Sequence, residues 1–267
     1  MHVKAKKSLG QNFLKDETVL ARIVESADIT ASDCVVEIGP GTGALTELLS
    51  QKAAKVIALE LDHDLIPDLL RQFPLSSNVS IVEQDIIRAD MAEILRTHGV
   101  SIDQPYKVVA NIPYYITAPI IQYLLQLSYP PESIVLMIQK EVAERITARI
   151  GAMSVLGVSV HYYADASLLF TVSKTAFDPI PKVDSAVVKI IPKQRFHKEN
   201  DKSFFRIVKM GFSARRKTLV NNIASGLHLS KEVVSEKIAQ LGLDVNIRAQ
   251  ALSIDDWKRL SQAFLEK

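Results

Sequence analysis

Cys34-Val35-Val36-Glu37-Ile38-Gly39-Pro40-Gly41-Thr42-Gly43 decides the fold, because a β-branched apolar run meets glycine at every second position and then a helix-period stretch from Ala44 to Lys52. Glycines so spaced let the backbone turn sharply and let a ligand approach it, where a Cβ would collide. A strand, a tight turn and a helix open a parallel α/β sheet. Working outward, Lys55 to Glu60, Val79 to Glu83, Tyr106 to Ala110 and Ser133 to Ile138 read as further strands, each separated by an amphipathic stretch of helical length. Leu168 to Val172 and Ser185 to Ile191 flank Phe177-Asp178-Pro179-Ile180-Pro181 with no helix between them, so they are expected to pair antiparallel at the sheet edge. The sum is a seven-stranded, mostly parallel sheet.

Beyond Pro192 the sequence turns charged and helix-periodic, with no strand candidate. Helices are expected at Ser203 to Phe212, Arg216 to Ala224, Ser230 to Leu241 and Ser253 to Phe264, with Ser230 as an N-cap. The expected division is an α/β domain over 1–195 and a small all-α domain over 196–267.

Composition narrows the function classes. Hydrophobic residues make up 48% and charged residues 23% of the chain, which is ordinary for a soluble globular protein. A net charge of only +2 means that a nucleic-acid partner must be argued from local patches. Two exist: Lys4, Lys6 and Lys7, and the stretch from Lys193 to Lys217, where nine Lys or Arg face two acids, Glu199 and Asp201. The single cysteine, Cys34, opens a buried-looking strand and excludes an internal disulfide. His63, His98 and His161 lack ligand spacing, so no metal is expected. The chain shows no signal-peptide pattern and no apolar run near the ~18 residues of a membrane span, and it reads as cytoplasmic.

The first turn, G-x-G-x-G with Glu37 two residues ahead, differs from the dinucleotide fingerprint G-x-G-x-x-G and looks like the S-adenosylmethionine loop of class I, Rossmann-like methyltransferases. Gly39, Gly41 and Gly43 are expected to touch the cofactor. Glu60 ends the second strand 21 residues beyond Gly39, where its carboxylate can accept the ribose hydroxyls. Asp85, after the third strand, can accept from the adenine amine of the cofactor, and Ile86 beside it offers an apolar face.

Asn111-Ile112-Pro113-Tyr114 follows the strand Tyr106 to Ala110, at the sheet edge where open α/β folds keep their ligands. Adenine's exocyclic nitrogen is a poor nucleophile, so alignment matters more than a base. The Asn111 side-chain oxygen and the Ile112 carbonyl can accept its two protons. Pro113 fixes the turn and Tyr114 supplies a flat face for the base. Phe177 is the candidate for a second face.

With these residues the chain resembles the KsgA (RsmA) family of small-subunit rRNA adenine dimethyltransferases from Lys7 to about Leu260. The motifs are Ser8-Leu9-Gly10-Gln11-Asn12-Phe13-Leu14, Glu37 to Gly43, Asn111 to Tyr114, Gln139 to Arg145, Phe177-x-Pro-x-Pro-x-Val183-Asp184-Ser185 and Phe212-Ser213-x-Arg215-Arg216-Lys217-Thr218-Leu219. The resemblance implies S-adenosylmethionine-dependent N6,N6-dimethylation of two adjacent adenosines in the loop of the 3′-terminal hairpin of 16S rRNA, within an assembling small ribosomal subunit. It also implies that Asn12 and Leu14 close over a cofactor held by Gly39, Glu60, Asp85 and Asn111. The target base would leave its stack and lie between Tyr114 and Phe177. Lys4, Lys6, Lys7, Arg215, Arg216 and Lys217 would grip RNA phosphates, and the enzyme would act as a monomer. The turn at Ile150-Gly151 is shorter than in many relatives.

Two other readings share these features: a resistance-type adenine methyltransferase acting on large-subunit rRNA, and a ribosome-assembly factor in which catalysis is secondary. Val183-Asp184-Ser185-Ala186 and the expected Arg215-Arg216-Lys217 helix favour the small-subunit enzyme.

Overall fold

The computed structural model describes residues 6, 9–101, 103–193 and 201–265. In chain order its elements are β1 (Phe13–Leu14), α1 (Glu17–Ser26), β2 (Cys34–Ile38), α2 (Ala44–Ser50), β3 (Lys55–Glu60), α3 (Ile66–Gln72), β4 (Val79–Glu83), α4 (Met91–Thr97), β5 (Tyr106–Asn111), α5 (Thr117–Gln126), β6 (Ser133–Gln139), α6 (Lys140–Ile146), α7 (Val155–Tyr163), β7 (Ala164–Val172), β8 (Phe177–Asp178) and β9 (Ser185–Pro192), followed by α8 (Asp201–Gly211), α9 (Leu219–Leu227), α10 (Lys231–Gln240) and α11 (Ile254–Leu265).

Seven strands form one sheet in the order β4-β3-β2-β5-β6-β9-β7. β2 to β6 pair in parallel, and β9 runs antiparallel to both β6 and β7, with a register shift between Leu168 and Phe170. The expected seven-stranded, mostly parallel sheet is therefore present. Every residue of β2 is buried, as are the first five of β5 and the first six of β6, which explains their unbroken apolar sequences. Chain order reverses between β2 and β5, so their carboxyl ends diverge and leave a crevice.

β1 and β8 form a separate two-stranded antiparallel ribbon, pairing Phe13 with Asp178 and Leu14 with Phe177. The sequence gives no sign of it, since two-residue strands carry no periodicity. Helix starts follow local chemistry: Asp16 accepts from the backbone N–H groups of Thr18 and Val19, and α1 then buries Val19, Leu20, Ile23 and Val24 on one face. Such a cap contributes about 1 kcal/mol.

The chain folds into two compact units, one of residues up to Ala143 with Ala164–Pro192, the other of Glu144–Tyr163 with the residues from Lys193 on. The division takes two segments where the sequence suggested one cut at 195. Burial explains it: Met153 and Val158 belong to the same buried cluster as Phe204, Ile207, Leu219 and Trp257. In that second unit Gly211 has no side chain because the Trp257 ring occupies the space, and buried Asn222 donates to the carbonyls of Gly211 and Ala214. The short turn at Ile150-Gly151 is fastened there too, by Gly151 N donating to the Gln250 carbonyl at 2.9 Å.

Candidate active site

In the first unit one crevice of about 1100 Å³, measured out to its open mouth, gathers the strand ends. Its wall includes Asn12, Leu14, Gly39, Gly41, Glu60, Asp85, Ile86, Asn111, Ile112, Pro113, Tyr114 and Phe177. Gly43, expected to touch the cofactor, is not on the wall. It stands at the N-terminus of α2 with φ +81°, and a Cβ there would lie 2.6 Å from Gln72 Oε1 and 2.9 Å from the Phe73 ring. Its glycine serves helix packing. Gly41 does face the crevice, and a Cβ on it would come within 3.1 Å of the Phe13 ring.

Glu60 ends β3 and is only 6% exposed. Its Oε2 accepts from Gly41 N at 3.1 Å and its Oε1 from Asp62 N at 2.8 Å. A carboxylate offers about four acceptor positions, so capacity for ribose hydroxyls remains. Burial raises its pKa, opposed by those backbone N–H groups. Asp85 spends Oδ1 on Ile87 N at 3.0 Å, capping a short turn, while Ile86 is buried beside it. Deeper in the wall, complete burial pushes the Glu37 carboxyl up to about 8 despite a 2.6 Å hydrogen bond from Thr46 Oγ1, with Glu60 adding repulsion. Burial is the main cause and Glu60 a lesser one, and both favour the protonated acid. A diol acceptor at Glu60, an amine acceptor at Asp85, an apolar face at Ile86 and a side-chain-free Gly41 fit an adenosine-bearing cofactor such as S-adenosylmethionine.

Asn111 closes β5 opposite Met137 of β6. Its Nδ2 donates to the Asn12 carbonyl at 3.4 Å, which turns the amide so that Oδ1 is the acceptor left for a substrate. Pro113 holds φ −58° and ψ 137° ahead of the Tyr114 turn. The Tyr114 hydroxyl lies 2.7 Å from Ser185 Oγ on fully buried Ser185, and burial raises the phenol pKa, so the ring is anchored and uncharged. Phe177 lines the same crevice yet exposes only 3% of its surface, within the buried cluster that holds Leu14 and Val187. It is a wall more than an open face.

Three contributors escaped sequence reasoning. Ser185 ends the motif that begins at Phe177, and its sequence context assigns it no role. Phe13, over Gly41, and Gln11, whose Nε2 donates to Asp62 Oδ2 at 2.8 Å, act on groups distant in sequence. Lys6, expected to face RNA, is instead paired with Asp62 at 2.5 Å and Asp64 at 2.6 Å. Lys4, Lys7 and 194–200 of the basic stretch lie outside the described residues. In the second unit Arg215, Arg216 and Lys217 are all exposed and occupy the loop between α8 and α9, not the helix expected from Arg216 on. Among the described residues, no group of three His, Cys, Asp or Glu could hold a metal ion, and no helix is long and apolar enough to cross a membrane.

Residues 2–266 match the family described as ribosomal RNA adenine dimethylase. The chain belongs to this family. Among curated dimethylase relatives, the ribosomal RNA small subunit methyltransferase A of Dehalococcoides mccartyi is 44% identical over 260 residues, covering 97% of this chain and 88% of the relative. The same-named protein of Streptococcus equi subsp. zooepidemicus is 43% identical over 268 residues, covering 97% and 91%. Among solved structures, a dimethyladenosine transferase from Plasmodium falciparum superposes with a TM-score of 0.77 at 28% identity, over 93% of this chain and 95% of that one. The 23S rRNA methyltransferase ErmE gives 0.74 at 24% identity over 95% and 99%, a likeness of fold.

Proposed function

We propose that this dimethylase-family protein uses S-adenosylmethionine to convert two adjacent adenosines in the 3′-terminal hairpin loop of 16S rRNA to N6,N6-dimethyladenosine. The observation that carries the chemistry is the Asn111 amide, whose nitrogen is committed to the Asn12 carbonyl on the wall of a crevice that also holds Glu60 and Asp85. Small-subunit rRNA as substrate is supported by the names of relatives at 42–44% identity.

Bound in the crevice, the cofactor supplies a methyl group already electrophilic on a sulfonium. The chain's task is then alignment. Asn111 Oδ1 and the Ile112 carbonyl accept the two hydrogens of the adenine amine, drawing its lone pair out of the ring and toward the methyl. In-line positioning contributes about 7–11 kcal/mol in favourable cases. Tyr114 receives the flipped base on its ring, worth about 1–3 kcal/mol, and Phe177 bounds the pocket with an apolar wall. Glu60 takes the ribose hydroxyls, Asp85 the cofactor's adenine amine, and Asn12, Leu14, Gly39, Gly41 and Ile86 complete its surround.

Phosphate binding is assigned to Arg215, Arg216 and Lys217, because Lys6 is already neutralised by two aspartates. The proposal is completed by a monomer acting on an assembling small subunit in the cytoplasm. Labelled methyl transfer onto undermethylated small subunits and, separately, onto large-subunit RNA, with mapping of the modified bases, tests the proposal. Labelling confined to large-subunit RNA would replace it with the resistance-type activity.

A further inference from the structure

Residues 9–14 form part of the crevice wall, and two quite different fastenings hold them. At the Leu14 end the hold is permanent in character: Leu14 is buried, pairs with Phe177 across the ribbon, and Lys15 N donates to the Ala176 carbonyl at 2.9 Å. At the Gln11 end it is polar. Residues 9 to 13 are each only partly buried, so burial alone does not pin them.

The polar fastening converges on one carboxylate. Asp62 is 3% exposed, its Oδ2 accepts from Gln11 Nε2 at 2.8 Å and its Oδ1 from Lys6 Nζ at 2.5 Å and Asp64 N at 3.1 Å. Gln11 uses its other end as well, Oε1 accepting from Lys6 N at 2.8 Å. The Asp62 backbone N–H donates to Glu60 Oε1, the carboxylate on the crevice wall. From Gln11 the chain runs straight to Asn12, whose carbonyl sets the Asn111 amide, and to Phe13, whose ring lies over Gly41.

We infer that Gln11, clasped to Asp62, is a positioning residue that holds residues 9–13 closed over the methyl donor and thereby controls donor exchange. This rests on the reading that the crevice takes S-adenosylmethionine. Two methyls on one nitrogen need two donor molecules in succession, so the crevice must empty and refill between the first and second transfer. A wall fixed at one end by burial and at the other by hydrogen bonds, Gln11 to Asp62 and Asn111 to the Asn12 carbonyl, opens without unfolding the sheet. Water can replace those hydrogen bonds when the clasp parts.

The test compares the full-length protein with Gln11→Ala, Gln11→Glu and Asp62→Asn, following release of labelled S-adenosylhomocysteine after a chase with unlabelled cofactor. Gln11→Ala is expected to release it about tenfold faster and to raise KM for the donor by a similar factor, while KM for the ribosomal substrate is unchanged. Gln11→Glu, of equal size but repelled by Asp62, is expected to release it at least as fast. Asp62→Asn leaves one oxygen where two accept, setting its NH2 against either Gln11 Nε2 or Lys6 Nζ and Asp64 N, and is expected to release it faster than the parent as well. A merely structural role would lower Tm without moving the release rate. Release from both Gln11 variants at the parental rate overturns the inference. Failure of the parent protein to bind either cofactor form would instead overturn the reading of the crevice.

Discussion

The Tyr114 hydroxyl is held 2.7 Å from Ser185 Oγ, joining the turn after β5 to the first residue of β9. This bond reaches from the ring proposed to receive the base to a strand two places away in the sheet. Tyr114→Phe keeps the ring and loses the anchor, and a fall of about five- to tenfold in kcat with unchanged donor affinity is expected, the worth of about 1 kcal/mol. Tyr114→Ala removes the face itself and is expected to lower kcat/KM for RNA by about 10- to 100-fold. Ser185→Ala should resemble Tyr114→Phe; steady-state kinetics on small subunits compares all three.

Asn111→Ala removes the acceptor proposed for the adenine amine and leaves Glu60 and Asp85 in place. Calorimetric donor affinity is expected within a few-fold of the parent, with methyl transfer down by about 100-fold or more, the usual cost of one preorganised transition-state hydrogen bond. Transfer at the parental rate would remove Asn111 from the mechanism.

Glu37 gives a pH dependence whose sign is fixed. Its folded-state pKa is raised from 4.5 to about 8 by burial, so between those values the folded protein keeps a proton that the unfolded chain has released. This contribution to stability is full below 4.5, falls as pH rises through the window and is level above about 8. Glu37→Gln removes the titration. Relative to the parent, the variant is expected to gain up to a few kcal/mol between about pH 5 and about pH 9, read by urea denaturation at each.

Charge reversal at Arg215 and Arg216 is expected to weaken RNA binding without changing donor affinity. Each phosphate no longer neutralised should reduce the slope of log K against log salt by about 0.7–0.9. An unchanged slope would return the loop to the role of solvated surface.

Strands β2 to β6 were legible because residues buried on both faces leave continuous apolar runs. The crevice was legible because Gly39, Glu60, Asp85 and Asn111 fall at successive strand ends, a spacing that topology alone brings together. Arg215 to Lys217 read as helical because the charged sequence around them is helix-periodic, yet the Thr218 side chain accepts from the Asn221 N–H and α9 starts only at Leu219. The affiliation of Glu144–Tyr163 was not legible, since apolar residues such as Val158 carry no address for the core they will join. Gln11 and Asp62 meet across 51 positions, and no local pattern encodes such a pairing.

Neither unit is continuous in the chain, since the path leaves the sheet-bearing unit after Ala143, returns at Ala164 and leaves again after Pro192. As synthesis proceeds, Glu144–Tyr163 emerges before any of the helices that will cover it. Meanwhile the sheet waits for β7 and β9, which come off later still. The sheet-bearing unit is complete in sequence at Pro192, whereas the helical unit must hold its first segment until the chain is nearly finished. Met153 and Val158 must stay soluble until α8 to α11 exist. No single truncation point yields the helical unit whole, and exchanging that unit between relatives requires grafting two segments at once.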